Sequence, residues 1–151
     1  MIMPLPTNMS LLCFGHRSRR TARAVTRAFN ARLRPLNIQI TQYILLGAVA
    51  QDPDRSMAVL ADDLDLEPSA LSRNLRLLVE RGLLDGPLGR GRNGRRLTIT
   101  PAGRELLEAG VPIWTDIQAD LAAALNGRAD ETRAALAQLE AAALTLVRTA
   151  K

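Results

Sequence analysis

Apolar residues recur at helical spacing along most of this chain. Phe14, Ala22, Val25, Phe29 and Leu33 form one stripe between Ser10 and Arg34, with His16, Arg20, Arg23 and Arg27 on another face, which predicts one long helix closed by Pro35. Thr41 then suits the N-cap of a short helix reaching Ala50, and Gln51-Asp-Pro-Asp54 is turn chemistry. Ser56 caps a second short helix, Met57 to Asp63.

Leu64-Asp-Leu-Glu67 reads as a tight turn, with Asp65 as a residue type that tolerates the left-handed conformation. Pro68 opens the next helix, which runs to about Arg81 and stops at Gly82. Its two faces differ sharply: Leu71, Leu75, Leu78 and Val79 share one, while Ser69, Ser72, Arg73 and Arg76 share the other. The period then shortens. Leu83 to Gly86 and the alternating Arg96-Leu-Thr-Ile-Thr100 predict two strands around a Gly/Arg loop with an Asn93-Gly94 turn, a β-hairpin with a basic tip. Thr100-Pro101 caps and opens a helix to about Leu125, and after Asn126-Gly127 a last helix runs from Ala129 to near Ala150. The predicted fold class is mainly α with one small β-hairpin.

A length of 151 residues, 47% of them hydrophobic, suits a single domain, residues 1–151, and is too short for two independent ones. Charge changes the picture more than size does. The net charge is +5, but residues 1–35 hold seven Arg and no acid, residues 36–66 one Arg against five Asp, and residues 67–100 seven Arg against three acids. Two basic blocks thus flank an acidic one, and 19 of the 20 basic residues are Arg, whose fork binds phosphate and guanine edges bidentately. Such a balance suits a protein that meets a polyanion, although many basic proteins meet none and an arginine bias can equally reflect genome base composition.

The lone cysteine, Cys13, cannot form an intrachain disulfide, and no Cys/His cluster has metal spacing, so neither a metal nor another cofactor is expected. A reducing compartment follows. Leu11-Leu-Cys-Phe14 is too short for a signal peptide core, and no apolar run approaches the roughly 18 residues of a membrane span. The chain is expected to be cytoplasmic, with no membrane partner. With one His and one Cys there is no nucleophile–base pair, and no catalytic residue is assigned.

The segment Gly89-Arg-Gly-Arg-Asn-Gly-Arg-Arg96 contains a G-x-G-x-x-G spacing. A dinucleotide-binding loop must follow a buried strand and open a helix, whereas here Arg-Arg-Leu-Thr-Ile-Thr follows and is strand-like. A kinase loop would need Val where Arg96 stands and a Lys on the next strand, but the only Lys is Lys151; a Walker A loop would need Gly-Lys-Ser/Thr. DNA remains. A helix at 57–63 packed across one at 68–81 is the arrangement of a helix-turn-helix, and the following hairpin's Arg residues can reach phosphates or a minor groove.

"LNIQITQYILLGAVA", "MAVLADDLDLEPSALSRNLRLLVERGLLDG" and "RRLTITPAG" together resemble the MarR family of winged helix-turn-helix transcription regulators. The resemblance covers about residues 10–150. It implies a homodimer in which helices at about 10–35 and 101–150 interlock, and residues 36–100 form a winged lobe that reads half of a pseudo-palindromic operator in double-stranded DNA. Recognition positions carried over are Ser69, Ala70, Ser72, Arg73, Asn74 and Arg76. The Asp-x-Arg that many relatives carry at the wing tip falls on Gly91-Arg92-Asn93, so Arg90, Arg92, Arg95 and Arg96 supply the charge instead.

Members are commonly repressors released by small phenolic or carboxylate effectors, or by oxidation. His16 is read as a surface or dimer-interface residue and Trp114 as core, against the alternative that His16, Arg20 and Trp114 line a pocket for an anionic effector. Cys13 resembles the sensing thiol of the family's organic-hydroperoxide branch, but aligned through "AVTRAF" that thiol falls on Gly15, and its supporting Tyr positions hold Arg17 and Phe29. A buried, inert thiol is the alternative. Asp116 and Asp120, four apart on one helical face, are read as partners for Arg rather than a catalytic pair. The functional expectation is a DNA-binding transcription regulator, a repressor released by a small effector. The alternatives are a peroxide sensor acting through Cys13 and a winged-helix module that binds other proteins.

Overall fold

The structure is a computed structural model that describes residues 9–86 and 97–149. Its elements are α1 (Met9–Leu12), α2 (Phe14–Leu33), a 3-10 turn (Arg34–Leu36), α3 (Ile40–Gln51), α4 (Met57–Asp63), α5 (Pro68–Glu80), β1 (Leu84–Asp85), β2 (Thr98–Ile99), α6 (Pro101–Ala124) and α7 (Ala129–Thr149). The mainly α class with a two-stranded antiparallel hairpin is as expected, with Leu84 opposite Ile99 and Asp85 opposite Thr98.

Three expectations at the N-terminal end need correction. The single helix from Ser10 is broken at Cys13, which is extended (φ −75°, ψ 114°) and caps α2 by accepting the His16 amide on Sγ at 3.5 Å. Its stripe is buried only at the far end, at Phe29 and Leu33, while Phe14 is 72% exposed and Val25 is also exposed. Pro35 does not close α2 directly: the helix gives way to the 3-10 turn, and the chain reverses at Asn37, held left-handed at φ 49°. Thr41 is not the cap of α3. That position is Gln39, whose backbone amide donates to the Gln42 side chain at 3.2 Å, while the Ile40 amide donates to Asn30 Oδ1 at 2.8 Å and ties α2 to α3. A glutamine pair does here what a hydroxyl residue more often does.

The chain forms two compact units, residues 1–113 and 114–151. In the first, Leu33, Ile38, Leu45, Leu46, Val49, Leu60, Leu71, Leu75, Leu78, Leu83, Leu84 and Leu97 make one buried cluster with Tyr43. Tyr43 donates its hydroxyl to the Leu107 carbonyl at 2.9 Å, and its ring occupies the space a side chain at Gly110 would need. Burial raises the Tyr43 pKa above its ordinary value. The second unit comprises the end of α6 and all of α7. Ile117 is buried there, whereas α7 buries none of its residues, and Trp114, read as core, is 43% exposed.

Candidate nucleic-acid interface

Ser56 starts the relevant segment. Its Oγ accepts the Val59 amide at 3.2 Å and caps α4, which contributes Leu60 to the core. The turn after α4 closes by amides of Asp65 and Leu66 donating to Asp62 and Ala61 carbonyls at 3.2 and 2.8 Å, with Asp65 left-handed at φ 48° as expected. Arg55 bridges Asp52 and Asp63 at 3.6 and 3.0 Å, joining the loop before α4 to the end of that helix. Pro68 then takes the first position of α5, where its missing N–H costs no hydrogen bond.

On α5 the core side is Leu71, Leu75 and Leu78, all buried, with Val79 half-buried. Ser69, Ser72, Arg73 and Arg76 are exposed on the other side, and neither arginine forms an ion pair among the described residues. Ala70 and Asn74 are half-buried, and Asn74 donates its side-chain amide to the Ala70 carbonyl at 2.9 Å, within the helix. The free polar surface therefore narrows to two serines and two arginines.

The root of the hairpin has a compact construction. Thr100 Oγ1 donates to the Gly82 carbonyl at 2.6 Å and accepts the Gly103 amide at 3.0 Å, while the Thr100 amide donates to the Leu83 carbonyl at 3.1 Å. One threonine thus joins the end of α5, the start of β1 and the first turn of α6. Gly103 lies against the Leu83 backbone, where a Cβ would run into the carbonyl oxygen and the Ile99 side chain. This explains the Thr-Pro-Ala-Gly run physically: a cap, a first-turn proline and a residue without a side chain. Sequence reading found the cap but not the need for Gly103, which depends on β1 lying across it. Arg90, Arg92, Arg95 and Arg96, expected at the hairpin tip, lie outside the described residues.

His16 and Arg20 are exposed on α2 in the first unit, and Trp114 belongs to the second. Cys13 is exposed, so the buried-thiol alternative does not hold for the single chain. Asp116 and Asp120 are exposed on α6. Among the described residues no group of three or more His, Cys, Asp or Glu could hold a metal ion, and no helix is long and apolar enough to cross a membrane.

A second arginine cluster escaped sequence reading. Arg27, Arg34 and Arg81 line an open groove of about 690 Å³ with Asn30, Ile38 and Leu77. Its only sequence signal is the spacing of Arg73, Leu77 and Arg81, which puts the last along the same helical stripe as the exposed face of α5.

A helix pair presenting a polar, basic second helix, followed by an antiparallel hairpin and a capped return helix, defines a winged helix-turn-helix protein. Residues 36–96 match the family model described as MarR family. No curated protein matches the chain. Among solved structures it is similar to the M. tuberculosis transcriptional regulator MosR, with 29% identity and a TM-score of 0.80 over 90% of this chain and 98% of that one. The same regulator in complex with DNA aligns with a TM-score of 0.76 at 29% identity, over 89% of this chain and 98% of that one. B. bronchiseptica BpsR, whose DNA binding is regulated by 6-hydroxynicotinic acid, shares the fold at 20% identity with a TM-score of 0.75, over 92% and 98% of the two chains. In this segment and in its fold the chain is similar to MarR family winged-helix transcription regulators.

Proposed function

We propose that the protein acts as a homodimer on double-stranded DNA, reading a pseudo-palindromic operator and repressing transcription until a small effector releases it. The observation that carries this reading is the division of α5 between three buried leucines and an exposed surface of Ser69, Ser72, Arg73 and Arg76. Such side chains suit a major groove: arginine pairs bidentately with guanine, and short hydroxyl residues permit close approach. The arginine blocks add phosphate contacts that carry affinity without sequence information. The wing arginines 90, 92, 95 and 96 belong to this proposal as further backbone or minor-groove contacts. Similarity to a MosR–DNA complex supports it.

The helices at about 10–35 and 101–150 are assigned to dimerisation and residues 36–100 to the DNA-binding lobe. Supporting this, Leu12 and Phe14 near the start, and Leu136, Leu144, Leu146 and Val147 on α7, are all exposed in the single chain. Apolar surface on this scale is expected to be covered by another chain. A symmetric partner covers it with the same helices. Chromosomal DNA places the activity in the cytoplasm. The effector is proposed to be a small phenolic or carboxylate molecule, in keeping with BpsR and its aromatic acid.

The test is DNA binding by Arg73→Ala, measured by fluorescence anisotropy on the promoter fragment beside the protein's own gene. If Arg73 reads a base, specific affinity falls by about 1–3 kcal/mol, and the loss is larger for the promoter than for random duplex. Equal promoter affinity of variant and wild type would remove that role. A monomer in light scattering, with equal affinity for promoter and random DNA, would favour a protein-binding module instead. The peroxide reading of Cys13 is not favoured, and unchanged DNA binding after treating the reduced protein with cumene hydroperoxide would dispose of it.

A further inference from the structure

We propose that Glu67 is a specificity-determining residue that accepts a hydrogen bond from the N4 amine of a cytosine in the major groove, so that each half of the DNA site carries a fixed C·G pair beneath the start of α5. This rests on the DNA-binding function proposed above. Glu67 holds the cap position of α5 at φ −58° and ψ 140°, and its carbonyl accepts the Leu71 amide at 2.9 Å. Its side chain makes no capping hydrogen bond and is exposed. Caps are ordinarily Asn, Asp, Ser or Thr, whose short side chains reach the helix amides. Ser56 does this for α4, accepting the Val59 amide at 3.2 Å. The glutamate before α5 forgoes that local bond and keeps its carboxylate free for a donor outside the chain.

Other carboxylates of this lobe are placed differently. Asp52 and Asp63 are both held by Arg55, at 3.6 and 3.0 Å, and Asp62 and Asp65 belong to α4 and the turn after it. Glu67 forms no ion pair among the described residues, and it directly precedes the exposed surface of Ser69, Ser72, Arg73 and Arg76. In a helix-turn-helix the first residues of the second helix are the ones that meet base edges.

A carboxylate at that place is repelled by every phosphate and by every acceptor on a base, so it is compatible with DNA only opposite a donor. The major groove offers two, adenine N6 and cytosine N4. Adenine sets the acceptor N7 beside its amine, guanine presents two acceptors, and thymine presents an acceptor and a methyl group. Cytosine alone presents a donor without an acceptor on the same base. Glu67 therefore discriminates as much by rejecting three bases as by binding the fourth. A negative charge at the start of a helix also stabilises it through the helix dipole, but that role is blind to base sequence.

The test is selection by the full-length protein from duplexes with a randomised core of about 20 base pairs, wide enough for two half-sites one helical turn apart. Wild type, Glu67→Gln, Glu67→Ala and Glu80→Gln, the same exchange at the far end of α5, are compared, each with its melting temperature. Wild type and Glu80→Gln are expected to enrich one motif with a C·G pair at the same place in both halves. Glu67→Gln should move that position to A·T, because an amide pairs with both N6 and N7 of adenine, and Glu67→Ala should lose preference there while the rest of the motif stays. In fluorescence anisotropy on the enriched duplex, replacing that C·G by A·T should weaken wild type about tenfold or more and strengthen Glu67→Gln. A motif unchanged in both Glu67 variants overturns the proposal, whether or not their melting temperatures fall. So does a gain in affinity by the same factor for every duplex, which would mean that the carboxylate only repels the backbone. A Glu67-dependent position fixed as a base other than cytosine overturns the base assignment. If wild type enriches no motif at all, the DNA-reading function fails and this inference with it, whereas a motif indifferent to Glu67 removes this inference alone.

Discussion

Replacing either of two helical glycines by alanine should change stability in opposite directions. In a helix interior, alanine is favoured over glycine by about 0.8–1 kcal/mol, because glycine loses more backbone freedom on folding. Gly47, in the middle of α3, should realise that gain, since a Cβ there meets only Leu107 Cδ2, at 4.0 Å, an ordinary contact. Gly103 should not. A Cβ there collides with the Leu83 carbonyl oxygen and stands 2.8 Å from Ile99 Cγ1. The carbonyl cannot rotate away, because it is main chain and already accepts the Thr100 amide at 3.1 Å. Relief requires a backbone shift between β1 and α6, and overpacking of this kind costs about 1–3 kcal/mol or more. The propensity gain is small in the first helical turn, so the net loss for Gly103→Ala is about 2 kcal/mol.

For a chain of this size each kcal/mol moves the melting temperature by roughly 2–4 °C. Calorimetric melting at one fixed protein concentration should therefore show Gly103→Ala about 4–8 °C below wild type and Gly47→Ala about 1–4 °C above it. A Gly103→Ala protein as stable as wild type would refute the close approach, and a destabilised Gly47→Ala would refute the assumption that α3 has room at that position. Because Gly103 supports the root of the hairpin, the same variant should also weaken DNA binding, unlike Gly47→Ala.

Thr100→Val removes both the cap of α6 and the bond to Gly82, and should lower stability in urea unfolding by about 1–2 kcal/mol; an unchanged midpoint would show the bonds to be dispensable. Tyr43 is the only tyrosine, and burial raises its pKa, so the unfolded chain ionises first as pH passes about 10. Its contribution is present below that pH and lost above it as the folded pKa is approached; Tyr43→Phe should be less stable at neutral pH and lose less stability on going to alkaline pH. Absorbance titration near 295 nm checks the raised pKa directly. Leu146→Asp combined with Leu144→Asp should shift light scattering from dimer toward monomer, and an unchanged mass would locate the interface elsewhere. Raising salt should weaken DNA binding log-linearly, with a shallower slope in Arg76→Gln if that residue meets a phosphate.

The helix-turn-helix was legible because its signals are local. Ser56, Asp65, Pro68 and Gly82 mark boundaries by their own backbone chemistry, and the leucines of α5 mark a face by period alone. The same local logic misplaced the cap of α3, since Thr41 has the commoner side chain for the task while Gln39 and Gln42 meet it as a pair. It also joined α1 to α2, because a cysteine seldom interrupts a helical pattern. The stripe on α2 was legible as apolar, but its exposure in the single chain was not. Periodicity reports that a face is apolar, not which chain will cover it.

What the sequence determined by itself is the set of elements, the two-faced character of α5 and the basic blocks around it. Only the tertiary structure decided that Gly103 must lack a side chain, that Asn74 turns its amide back to its own helix, and that Arg27, Arg34 and Arg81 share a groove. Those facts depend on residues far apart in the chain meeting across elements, and the distances across a packed core are fixed by how all the elements fill it together rather than by any local spacing.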